Sequence, residues 1–91
     1  MDKFRLGKEI NITGLSKKNT ISVPYHILER TFGVPTIIED NNYAIWKLTF
    51  EDTEDSIAIL NDNENYLETD RWIIKATDLN NIERVKNILC N

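Results

Sequence analysis

The stretch Val23-Pro24-Tyr25-His26-Ile27-Leu28-Glu29-Arg30-Thr31-Phe32-Gly33-Val34-Pro35 decides how the rest of the chain is read. The β-rich run Thr20 to Val23 leads into it. Pro24 suits a helix start, where its missing N–H has no partner to lose. Leu28 and Phe32 follow at a four-residue step and so share one helical face. Gly33 suits the left-handed turn that closes a helix, and Pro35 prevents its resumption. The expectation is a strand, a helix of roughly two and a half turns, and a hard stop. A small sheet must then bury that helix.

Working outward, Tyr43 to Phe50 carries the clearest strand pattern. Ala44, Trp46, Leu48 and Phe50 fall on one face, and Tyr43, Ile45, Lys47 and Thr49 on the other. The polar turn Glu51 to Asp55 joins it to a strand over Ser56 to Leu60, antiparallel because the link is short. Asn61 to Asp70 reads as a polar loop, followed by a strand over Arg71 to Ala76. Thr77-Asp78 supplies an N-cap for a last helix, Leu79 to Leu89. Leu79, Ile82, Val85, Lys86 and Leu89 run along one stripe, the Lys86 stem at its edge, with Ile88 beside it. Upstream, Ile10 and Ile12 alternate with Asn11 and Thr13 as a short strand within Phe4 to Thr13. Gly14 to Asn19 reads as a turn, and the two N-terminal strands as a hairpin. Val34 to Asn42 reads as a connection. The order is β-β-α-β-β-β-α: one α+β domain over residues 1–91, a mainly antiparallel sheet of four or five strands with two helices on one face.

The chain has 91 residues, 41% hydrophobic and 29% charged, which is ordinary for a soluble domain with one modest core. Its mean hydropathy is -0.42. No apolar run approaches the ~18 residues that cross a bilayer, and Met1 to Arg5 precedes no apolar segment of a secretory signal. The single cysteine, Cys90, excludes an internal disulfide, so a reducing, cytoplasmic location is expected. Asn11-Ile12-Thr13 matches a glycosylation sequon, which matters only in a secreted chain.

The net charge of -4 is unevenly spread: +3 over residues 1–30, -9 over 31–70 and +2 over 71–91. An acidic middle disfavours duplex binding, since each neutralised phosphate requires a cation. It suits a protein partner with a basic surface. Acidic residues also fill exposed loops simply for solubility. A nucleic-acid regulator using Lys3, Arg5, Lys8, Lys17 and Lys18 as a basic arm is the alternative class. A homo-oligomeric structural domain, a homodimer for instance, is a third.

No catalytic constellation emerges. His26 has no sequence neighbour that would make it a base or ligand. Cys90 needs a base to become nucleophilic. Gly7, Gly14 and Gly33 are isolated, so there is no phosphate loop. Asn61 to Asp70 lacks the central Gly and acid spacing of a calcium loop. The carboxylates of Glu51 to Asp55 lie without apolar cover to raise a pKa. The expectation is no enzyme, no metal and no cofactor. Trp46 and Trp72 sit in apolar-alternating strands and read as core. Tyr43 and Tyr66, near loop ends among acids, read as exposed contacts. The candidate partner-binding residues are Glu39, Asp40, Tyr43, Glu51, Asp52, Glu54, Asp55, Asp62, Glu64 and Tyr66.

Val23, Pro24, Tyr25, Leu28, Phe32, Gly33 and Pro35 match V-P-Y-x-x-L-x-x-x-F-G-x-P. A Trp strand (Trp46, Leu48, Phe50), an acidic turn (Glu51, Asp52), Asn61, a late strand (Trp72, Ile74) and a last helix (Val85, Lys86) follow. In these features the chain resembles, over roughly residues 20 to 90, a family of small uncharacterised proteins of tailed phages and large DNA viruses. Thr53 stands where the family's turn has Gly, Ile59-Leu60 where it has an Ile-Tyr pair, and Lys75-Ala76-Thr77 where glycines are frequent. The resemblance implies this fold and a viral protein in the interior of a host cell, with no activity to carry over. Ile21-Ser22-Val23-Pro24 before a short helix also resembles AbrB-like DNA binders. There, however, an Arg is expected where Leu28 stands, and the Gly comes sooner. The combined expectation is a virus-encoded accessory protein that binds a host or viral protein through acidic loops, a defence factor being one such target.

Overall fold

A computed structural model describes residues 3–62 and 64–90; Met1, Asp2, Asn63 and Asn91 lie outside it, two of them (Asp2, Asn63) part of the charge count and polar loop above. The elements are β1 (Phe4–Leu6), β2 (Lys17–Ser22), α1 (Tyr25–Phe32), β3 (Ile37–Glu39), β4 (Tyr43–Phe50), β5 (Ser56–Asn61), β6 (Arg71–Ala76) and α2 (Leu79–Cys90). The protein is α+β, with a fully antiparallel sheet in the order β1-β4-β5-β6-β2. Six strands are present among the described residues rather than four or five. The additional one, β3, pairs with β4 beside β1.

β4 is the spine. One edge pairs with β5. The other is divided: Ile37 to Glu39 pair with Tyr43 to Ile45, and Phe4 to Leu6 with Leu48 to Phe50. Between them the Lys47 N–H donates to the Thr36 hydroxyl at 3.0 Å, so the edge has no gap in its bonding. The helix-side face holds Ala44, Trp46, Leu48 and Phe50 with Ile57, Ile59, Trp72, Ile74 and Ala76. Leu28 and Phe32 of α1 and Ile82 and Val85 of α2 join the same cluster, so both helices cover one face. Leu79 does not belong to the buried stripe: it is exposed at the first position of α2. Asp78 caps that helix, its Oδ1 accepting the Asn81 N–H at 2.9 Å.

The expected N-terminal hairpin does not form. β1 and β2 lie at opposite edges of the sheet, four strand spacings or about 19 Å apart. The segment between them must cross a face. Lys47 points away from the helices, and its Nζ donates to the Lys8 carbonyl at 3.4 Å, so the crossing runs over the helix-free side. Ile10 is only 7% exposed on this strap, and Ala58 is fully buried on the helix-free face. Ile10 therefore serves as strap rather than strand. Lys17 to Asn19, expected as turn, are the first half of β2.

Pro24 stands one position earlier than expected, at the N-cap of α1. Gly33 ends the helix at φ 86° and ψ -168°, its N–H donating to the Glu29 carbonyl at 2.8 Å. Only glycine occupies that region freely. Gly33→Ala is expected to cost about 1–2 kcal/mol of stability, read as a lower urea midpoint. A Cβ there meets no neighbour, so the loss comes from backbone strain alone.

Candidate protein-binding surface

Two indoles hold α1 in place. The Trp72 Nε1–H donates to the Val23 carbonyl just before the helix, at 2.9 Å. The Trp46 Nε1–H donates to the Gly33 carbonyl just after it, also at 2.9 Å. The two rings meet edge to face at 5.3 Å. Tyr25 lies 5.9 Å from Trp46 and 6.4 Å from Trp72, and Tyr66 packs edge-on against Tyr25 at 5.2 Å. Tyr66, expected as an exposed contact, is instead half-buried and closes this aromatic stack. The Tyr25 hydroxyl donates to Glu29 Oε2 at 2.7 Å. Burial, followed by the bond to Glu29 and its charge, pushes the Tyr25 phenol up to about 12. Because the folded chain holds this proton more tightly, the stabilisation is complete below about pH 10 and is lost as pH rises through about 12. A tyrosinate absorbance titration should show one late phase, absent from Tyr25→Phe.

The ten candidate residues do not form one surface. They divide between the two ends of β4, separated by about 23 Å along the strand. At the β4–β5 turn the acids serve the fold. Arg84 binds both oxygens of Asp52, at 3.0 and 2.9 Å, and stacks 3.8 Å above the Phe50 ring. Arg5 binds both oxygens of Glu54, at 3.2 and 3.1 Å. Asp55 accepts from Asn81 Nδ2 at 3.1 Å. The bonds from Arg84 and Arg5 hold the Asp52 and Glu54 carboxyls below their usual range. Their contribution is therefore present above about pH 4 and disappears as pH falls through the lowered values. Glu54, rather than Thr53, takes the left-handed position of this turn, at φ 58°. With these partners engaged, Asp52, Glu54 and Asp55 are poor candidates for contacting another molecule.

The opposite end is organised differently. Asp40 and Asn41 turn β3 into β4 with φ of 54° and 56°, the Asn42 N–H returning to the Glu39 carbonyl at 2.9 Å. Left-handed central residues are what tight hairpins favour, and Asp and Asn tolerate them. Asn61 lies buried beneath this turn. Its Oδ1 accepts the Ala44 N–H at 2.9 Å, and its Nδ2 donates to the carbonyls of Asn42 (3.0 Å) and Glu64 (2.6 Å). Asn65 Nδ2 reaches the Asn41 carbonyl and Asn42 Oδ1, each at 3.0 Å. The Tyr66 N–H donates to the Asn42 carbonyl at 3.0 Å. Two loops that are distant in sequence are thereby hydrogen-bonded to each other at one end of the sheet. It presents Glu39, Asp40, Asp62 and Glu64, none in an ion pair among the described residues. Tyr43, Ile38 and Leu67, on the same two laced loops and their flanks, are 38%, 46% and 62% exposed. Arg71 shares a recess of about 80 Å³ with Asp62, Glu64 and Thr69. The roles of Asn61 and Asn65 were not apparent from the residues alone; an Asn closing an apolar strand was the only hint.

The basic-arm residues are also divided. Lys3, Arg5 and Lys8 lie by β1, and Lys17 and Lys18 on β2 at the far edge. His26 and Cys90 are exposed, and among the described residues no group of three or more His, Cys, Asp or Glu could hold a metal ion. No helix among them is long and apolar enough to cross a membrane. Set against protein-family models, curated proteins and solved structures, the chain matches none.

Proposed function

We propose that this chain is a non-enzymatic protein-binding module, a viral accessory protein as the resemblance implies, whose contact surface is the acidic end of the sheet. Its partner carries a basic surface, such as one that otherwise holds nucleic acid, and a host defence factor is the kind of target this implies. One observation carries the reading. Asn61 and Asn65 hold the β3–β4 turn and the loop after β5 together, leaving Glu39, Asp40, Asp62 and Glu64 without an ion pair among the described residues, with exposed Leu67 on the same end and exposed Tyr43 and Ile38 on opposite faces of the sheet there. Charge carried on loops already tied to each other, near exposed apolar side chains, suits recognition, because less backbone ordering opposes binding.

Capture from host lysate at low and moderate salt, followed by titration with the captured protein, tests it. Neutralising Glu39, Asp40, Asp62 and Glu64 to their amides is expected to weaken binding by about tenfold or more, chiefly through slower association. Neutralising Glu51, Asp52, Glu54 and Asp55 should lower stability and leave affinity unchanged. The reverse pattern would transfer the surface to the other end of β4.

A further inference from the structure

We propose that the open edge of β2 is a docking site for an extended peptide in which apolar side chains alternate with acidic ones. β2 pairs with β6 along Lys17 to Ser22 and, among the described residues, has no strand on its other side. The Thr20 N–H donates to the neighbouring Asn19 Oδ1 at 2.8 Å, so it points away from β6. The alternation of an antiparallel ladder places the backbone groups of Lys18 and Ser22 on that same outer side. An incoming strand has three residues of backbone to pair with, once Asn19 releases Thr20.

Both faces of this edge are shaped. On the helix side, β2 and the last turn of α2 enclose a groove of about 270 Å³ lined by Ile21, Val23, Leu89 and Cys90, with Lys86 beside them. On the other side a groove of about 400 Å³ is lined by Thr20, Ser22, Arg71, Glu64 and Asp70. A strand added here would place alternate side chains in the two grooves, the arrangement that gives strand addition its specificity.

Charge selects the occupant. Lys17, Lys18, Lys75 and Lys86 stand along this edge, Lys18 directly opposite Lys75 in the register, and with Arg71 they outnumber Glu64 and Asp70 of the second groove. None of the four is in an ion pair among the described residues. A second copy pairing β2 with β2 would bring two such lysine sets together, which like-charge repulsion opposes. Lysines on an open edge deter self-pairing, and the same charges admit an acidic strand.

The test uses a fluorescein-labelled peptide alternating valine with glutamate, followed by anisotropy. Saturable binding that weakens with salt is expected. A version N-methylated at alternate amides and a valine–lysine version should not bind. The bound peptide should slow alkylation of Cys90, the chain's only thiol. Thr20→Pro removes the outward N–H at an edge position that tolerates proline. It should weaken binding at least about tenfold, equivalent to about 1.4 kcal/mol. Lys17→Glu combined with Lys18→Glu should do the same, and this pair decides the matter if Thr20→Pro fails to fold. Glu39→Gln with Asp40→Asn, which line neither groove, should leave the peptide's affinity unchanged; Glu64 is common to both sites and stays unaltered in this arm, so the two readings fail or succeed separately. Absence of saturable binding, or binding indifferent to both edge variants, overturns the proposal. A dimer in sedimentation that Thr20→Pro disperses also overturns it, by giving the edge to a second copy.

Discussion

Trp72→Phe is expected to lower the unfolding free energy by about 2–4 kcal/mol, a large share of the roughly 5–15 kcal/mol that holds a small domain folded. Two losses add. The half-buried Val23 carbonyl loses its indole donor, and an acceptor left unpaired away from water costs up to about 1–3 kcal/mol. The smaller ring also leaves a void in a fully buried site, and residual cavity volume costs about 24 cal/mol per Å³. Urea unfolding with an unchanged slope is the measurement. Trp46→Phe removes the equivalent bond at Gly33. Because the two indoles touch and restrain opposite ends of α1, their effects should be non-additive in a double-mutant cycle. Strict additivity would show that each Trp only fills space.

Asn61→Leu is expected to cost about 2–4 kcal/mol and, more tellingly, to weaken partner binding without changing charge. The substitution leaves the Ala44 N–H without its acceptor and removes the donor from the carbonyls of Asn42 and Glu64. The buried Ala44 N–H carries the full desolvation penalty, and the part-buried carbonyls of Asn42 and Glu64 a smaller one. The Asn42 carbonyl keeps the Tyr66 N–H, so the lace should loosen rather than vanish. Amide hydrogen exchange should accelerate first at residues 40–44 and 64–67, with β5 and β6 still protected. Unchanged exchange in those loops would contradict the role given to Asn61.

Elements with a buried face were legible from their residues. β4 alternates cleanly because one side lies under two helices, and the Leu28–Phe32 step with Gly33 marked α1 and its end. Most departures among the strands fall where no buried face imposes a pattern. Lys17 to Asn19 look like a turn because an edge strand is exposed there. β3 has three residues, and its strand conformation comes from pairing with β4. The N-terminal hairpin failed because Phe4 finds Phe32, at 5.2 Å between ring centres, and the β4 edge instead of its sequence neighbour. Ile10 then has the helix-free face to cover.

Acidity followed the same division. Ten acidic residues between 31 and 70 are visible in the chain, and they are the basis on which a basic partner is proposed. Which acids remain free depends on cations far away in sequence: Arg5 reaches Glu54 and Arg84 reaches Asp52 only once β1 and α2 are packed. The amino-acid sequence by itself determined the α+β class, the helix between Pro24 and Gly33, the spine strand and the sign of the charge. Local propensity and periodicity act over a few residues, and those features need nothing more. The tertiary structure alone decided that the two indoles bracket α1, that Asn61 joins two loops into one end, and that β2 is left with an open, basic edge. Each of these depends on strand order and register, which bring together groups that no local pattern connects.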